Sequence, residues 1–164
     1  MKRKTWAPKH RLERQAGKPG MDIVVPFTTR QLTREALAVA VGMSAGLQPL
    51  IRMVRTQAVP FPLPLEAAPV SADFLREQFT PLVTEFGAHL EICFARDTWE
   101  GLAQLLTRDS IVVIASRRKW YRKTREERFA AWLMRRGHNV LIDYTNSMSK
   151  VPQEEKYQCL TSSI

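Results

Sequence analysis

Ile111-Val112-Val113-Ile114-Ala115-Ser116-Arg117-Arg118-Lys119-Trp120-Tyr121-Arg122-Lys123-Thr124-Arg125-Glu126-Glu127 is the stretch on which the fold turns. It opens with a short, continuous apolar run rich in β-branched residues, the pattern of a strand buried on both faces. A strongly basic turn with two aromatics follows. Thr124 and, three residues later, Glu127 then make a T-x-x-E capping box, which opens a helix bearing Phe129, Trp132 and Leu133. Strand, turn and helix N-terminus together form a device for holding an anion. The first N–H groups and the positive end of the helix dipole point at whatever sits beyond the strand's carboxyl end.

On the amino-terminal side, the same alternation of short strands and amphipathic helices repeats. Asp22 to Phe27 reads as a buried strand. Thr28 and Thr29 lead into a helix with Leu32, Ala36, Val39, Ala40 and Met43 at helical spacing, which Gly46 ends. Leu50 to Val59 reads as a second strand, with Arg52 and Arg55 less buried. Pro60, Pro62, Pro64 and Pro69 make the next segment too proline-dense for a ladder or helix interior, so it is expected to lie extended over the surface. Ser71 and Asp73 open a helix striped by Leu75, Phe79, Leu82 and Phe86, with Pro81 expected to kink or split it. Gly87 closes it, and His89 to Ala95 supplies a third strand. Asp97 caps a third helix (Trp99, Leu102, Leu105, Leu106), with Glu100 at the capping-box position. On the carboxyl side of the central stretch the fourth helix stops at Gly137, and Val140 to Tyr144 forms a fifth strand.

Strict β-α alternation calls for a parallel sheet covered on both faces, with a ligand crevice beyond the carboxyl ends of the strands, where the winding reverses. With the first strand central, Thr28 and the turn from Ala115 to Thr124 meet at that crevice.

Composition bounds the rest. At 164 residues and 45% hydrophobic content the chain fits one globular domain, and no apolar run reaches the ~18–20 residues of a membrane span. Residues 1–20 carry seven basic side chains against Glu13 alone, so six of the nine net positive charges lie in a leader too poor in apolar residues to fold. No apolar h-region follows it, so it is not read as a secretory signal, and Met21 is a second candidate start. Residues 146–164 read as a polar tail. Cys93 and Cys159 make no disulfide framework, which points to a reducing, cytoplasmic location. His10, His89 and His138 lack metal-ligand spacing. Ser116, His138 and Asp143 could be written as a triad, but no G-x-S-x-G elbow surrounds Ser116. The expectation is a protein that is not an enzyme.

The run Ile23-Val24-Val25-Pro26-Phe27-Thr28 before an alanine-rich helix, Ile111 to Arg118, and Val140-Leu141-Ile142 after Gly137-His138-Asn139 resemble, in that order, the universal stress protein family. The resemblance spans Ile23 to about Tyr144. It implies a single-domain α/β three-layer sandwich: a five-stranded parallel sheet of order 3-2-1-4-5 with helices on both faces, commonly dimeric through the last strand. One branch of the family binds ATP through G-x2-G-x9-G-[ST] after the fourth strand. Here Ala115 and Arg118 stand at the first two glycines, Thr124 follows too soon, and Thr28 replaces an acidic residue after the first strand. Glycine lets the backbone approach phosphates closely; arginine adds charge but obstructs that approach.

The candidate ligand is therefore a nucleotide, ATP included, or another phosphate-bearing anion, beside Thr28, Ala115, Ser116, Arg117, Arg118 and Thr124. Against this stands a solvated basic loop whose aromatics pack on a neighbouring helix. The alternative function is electrostatic nucleic-acid binding by the leader and the 117–125 turn. Val140, Leu141, Ile142 and Tyr144 would form an apolar edge strand, which a second copy of the chain or the tail would cover.

Overall fold

A computed structural model describes residues 21–119 and 121–145. The readings made above for the leader, for Trp120 and for the polar tail with Cys159 lie outside the described residues. Within them five strands alternate with four α-helices: β1 (Asp22–Pro26), α1 (Arg30–Met43), β2 (Leu50–Ala58), α2 (Ala72–Glu85), β3 (His89–Ala95), α3 (Thr98–Leu105), β4 (Ile111–Ser116), α4 (Arg125–Arg135) and β5 (Asn139–Tyr144). All pairings are parallel, in the order β3-β2-β1-β4-β5.

The sheet separates two apolar layers. Ile23, Val25, Met53 and Val113 turn to α1 and α2, meeting Leu37, Ala40, Leu75 and Phe79. Val24, Val54, Val112 and Ile114 turn to α3 and α4, meeting Leu102, Phe129 and Leu133. Burial on both faces is why β4 is a continuous apolar run rather than an alternating one. On the second face Trp99, Phe129 and Trp132 pack at ring separations of 5.1–6.1 Å, and Arg136 caps the group from 4.0 Å above Trp132.

The helix ends follow the local signals. Thr29, Ser71, Asp97 and Thr124 accept backbone N–H bonds as N-caps. After α2 and α4, Gly87 and Gly137 adopt φ of +62° and +83° in Schellman turns, with Ala88 N donating to Val83 O and His138 N to Leu133 O. Two expectations are corrected. The box proposed at Asp97 is one-sided, because the Glu100 carboxylate reaches across to the Arg136 guanidinium at 2.5 and 3.0 Å. Helix α2 also runs unbroken through Pro81, which lies on its exposed side.

Ion pairing crosses the sheet at its amino end. Arg52 on β2 holds Asp22 on β1 with two bonds, at 2.5 and 2.9 Å, and Glu91 on β3 with a third. The proline segment is largely exposed and holds one 3₁₀ turn at Leu65–Ala67. Arg96 pins its start, donating to the carbonyls of Val59 and Pro60 at 3.0 and 3.1 Å.

Candidate functional site

Strands β1 and β4 pair only at Ile23–Ile111 and Val24–Val112, then part. Pro26 makes this parting inexpensive. Phe27 N bonds back to Val54 O on β2, so the alternate residue Pro26 would aim its N–H toward β4, and it has none. Helices leave toward opposite faces on either side of this gap, which is the switch point where such sheets take ligands.

Two hydrogen bonds shape the β1 exit. Thr28 N donates to the buried Thr33 hydroxyl at 3.1 Å, and Thr29 Oγ1 receives Leu32 N at 3.3 Å. At the β4 exit Ser116 is fully buried, and its hydroxyl lies 2.8 Å from that of Thr124. Thr124 is the hub of a complete capping box: its N–H reaches Glu127 Oε2 at 2.7 Å, and its hydroxyl accepts Glu127 N at 3.2 Å. Arg117 donates to Gln31 in the first turn of α1, so the two exits touch.

The predicted site residues do not share one pocket. Thr28 lines a crevice of about 170 Å³ between the ends of β1 and β2 and the starts of α3 and α4, among them Thr29, Arg55, Thr56, Thr98 and Arg125. Arg118 lines a separate open basin of about 400 Å³, with Lys119, Tyr121, Arg122, Lys123, Glu127 and Tyr144. Ser116 and Thr124 line neither space and bond to each other, and Arg117 is engaged by α1. Ala115, 2% exposed, packs in the α1-side layer and presents no side chain to either space.

Sequence reading passed over Arg55. Its guanidinium sits 4.8 Å from the Phe27 ring centroid and 5.8 Å from that of Phe79, and donates to the neutral Gln57 amide oxygen at 3.1 Å. Nε is buried without a partner, and no carboxylate among the described residues pairs with the group. Burial pushes its pKa down. Arginine stays protonated at ordinary pH, so the result is a cation at a crevice wall that lacks its anion. The only sequence cue was a cation interrupting an otherwise buried strand.

The paper triad does not assemble. Parallel register sets Ser116 opposite Tyr144 and Ile111 opposite Asn139, so His138 precedes the start of β5 while Ser116 ends β4, about 17 Å along the strands. Among the described residues no cluster of His, Cys, Asp and Glu could hold a metal ion, and no helix is long and apolar enough to cross a membrane.

No protein-family model and no curated protein matches the sequence. Solved structures do match. A universal stress protein solved in complex with cAMP is 17% identical, with 77% of this chain and 98% of that one aligned at a TM-score of 0.50. The universal stress protein from Archaeoglobus fulgidus is 13% identical, over 74% and 92% of the two chains, at 0.51. With its five parallel strands in the order 3-2-1-4-5 and helices on both faces, the chain has the universal stress protein fold.

Proposed function

We propose that the chain is a cytoplasmic, non-catalytic regulatory module that binds a nucleotide or another phosphate-bearing anion in the crevice at Thr28, Arg55 and Arg125. The observation that carries this reading is the Arg55 guanidinium, whose buried Nε has no hydrogen-bond partner and which no described carboxylate pairs with. Around it stand the hydroxyl-bearing Thr28, Thr29, Thr56 and Thr98, the Trp99 and Phe129 rings, and the first turn of α4. Glu126 stands in the same crevice, so the helix terminus is partly neutralised and arginine side chains supply the attraction. Without phosphate-loop glycines, the anion is gripped by side chains rather than cradled by backbone. A crevice of about 170 Å³ takes a base or a ribose phosphate, with the remainder of a nucleotide lying outside it. The cAMP held by a protein of the same fold agrees with this choice of ligand class. The free thiol of Cys93 suits a reducing compartment, and burial pushes its pKa up, which keeps it unreactive.

Thermal shift with AMP, cAMP, ATP and inorganic phosphate tests the reading. A true ligand at a hundredfold excess over its Kd adds about 2.7 kcal/mol, a rise in Tm on the order of 10 °C for a domain of this size. Arg55→Gln should weaken that ligand at least tenfold, the scale of a charge-assisted hydrogen bond. The unliganded Tm should hold or rise, because an uncompensated cation has been removed. If none of the four raises Tm in the wild type, the reading fails.

Pairing of two copies through β5 belongs to the same proposal. Val140 and Ile142 pack inward on the α4 side, while Leu141 stands 38% exposed along an edge that no described residue covers. Light scattering after size exclusion should show a dimer, and Leu141→Glu should make it monomeric; a wild-type monomer at 100 μM would exclude the pairing.

A further inference from the structure

The basin beside β5 is chemically unlike the crevice. Arg118, Lys119, Arg122 and Lys123 surround it against the single carboxylate of Glu127. Two tyrosines stand among them, Tyr121 62% and Tyr144 46% exposed. Each ring has a guanidinium over it, Arg118 at 5.8 Å from the Tyr144 centroid and Arg122 at 5.9 Å from that of Tyr121. The two rings come from different elements, and only the sheet register places Tyr144 opposite Ser116, at the root of the basic turn. A bare polyanion site needs cations and gains little from aromatic faces. A site for a free nucleotide would be more enclosed, whereas this basin of about 400 Å³ opens broadly to solvent. Cations that can follow a phosphodiester backbone, interleaved with exposed rings on which bases stack, are the chemistry of single-strand recognition.

We propose that Arg118, Lys119, Tyr121, Arg122, Lys123 and Tyr144 form a binding site for single-stranded nucleic acid, with the tyrosines as stacking platforms and the four cations on the phosphates. The site is independent of the crevice, since the cavities share no lining residue. It reads no sequence, because stacking and phosphate contacts accept any base.

Fluorescence anisotropy of the full chain with a labelled ten-nucleotide oligouridylate tests it. Affinity should fall with log salt at a slope of about −3, the release expected for four phosphate contacts to a single strand. Tyr144→Leu and Tyr121→Leu should each weaken binding about tenfold while leaving that slope unchanged. The double variant Arg118→Gln/Arg122→Gln should reduce the slope by about half, and Arg55→Gln should have no effect on the oligonucleotide. Melting temperatures within about 2 °C of wild type certify that the variants are folded. The seven basic residues of the leader are present in every protein compared. Binding that survives both the tyrosine and the arginine changes would therefore lie elsewhere and overturn the proposal. A duplex of equal length binding as tightly as the single strand, or tyrosine variants indistinguishable from wild type, would reduce the basin to plain charge and overturn it equally.

Discussion

Replacing Gly101 with alanine is expected to lower stability by about 2 kcal/mol, read as a fall in the denaturant midpoint at unchanged m-value. In most helices the same change helps by up to ~1 kcal/mol, because alanine restricts the unfolded chain and favours helix. Here the added methyl would stand 2.5 Å from Ala95 Cβ, 2.9 Å from Thr56 Cγ2 and 3.7 Å from Cys93 Sγ. Ala95 has no rotamer to change, and the Thr56 methyl belongs to a stiff β-branched side chain on β2. Relief must come from moving α3 off the sheet, which would also pull Leu102 from its fully buried place and loosen the Trp99–Phe129–Trp132 packing. Gly42, near the end of α1, is the control: an added Cβ there meets nothing within 4 Å, so Gly42→Ala should stabilise by about 0.5 kcal/mol. If Gly101→Ala proves as benign as Gly42→Ala, the close seating of α3 on β2 and β3 is wrong.

Arg52→Met is expected to cost about 2–4 kcal/mol. Arg52 is 16% exposed, and its removal leaves Asp22 and Glu91, 20% and 32% exposed, facing one another across β2 without a cation. Breaking a buried pair costs more than the pair contributes, since the survivors stay desolvated; partial exposure of these carboxylates puts the cost below the fully buried range. The Asp22 hydrogen bonds, with both carboxylate charges assisting, outweigh desolvation and raise the Arg52 pKa. A cation with a raised folded pKa contributes below its unfolded value and loses that contribution only as pH climbs through the folded one. The wild-type benefit should therefore persist through neutral pH and fade only in strong alkali. Arg52→Met combined with Asp22→Asn and Glu91→Gln should recover most of the loss. Chemical denaturation of the single and triple variants distinguishes this from simple loss of packing, in which the triple would be no better than the single.

The frame of the molecule was legible because its signals are local. Thr124 with Glu127, Ser71 before Ala72, and Gly87 and Gly137 each act within a few residues of themselves, and the β4 run carries burial on both faces in its composition. The site was legible only in outline, because its chemistry is set by contacts distant in sequence. Arg55 acquires its surroundings from Phe27 at the end of β1 and from Phe79 in α2. Glu100 sits where a capping box wants it, and Arg136 outcompetes the backbone for its carboxylate. Ala115 is adjacent to the right turn but faces α1, since alternation along β4 gives it the same side as Val113. Tyr144, read from sequence as an edge apolar residue, becomes a wall of the basin through one register pairing with Ser116.

Because every strand points the same way, polypeptide enters the domain at one pole, before Asp22, and departs at the other, where Thr145 N bonds to Ser116 O at 3.0 Å. Five residues of β1, about 17 Å, separate the poles. An immobilised sensor built on this scaffold would be tethered through its entrance, which holds both cavities clear of the support, whereas a tether joined to the exit would crowd the rim of the basin.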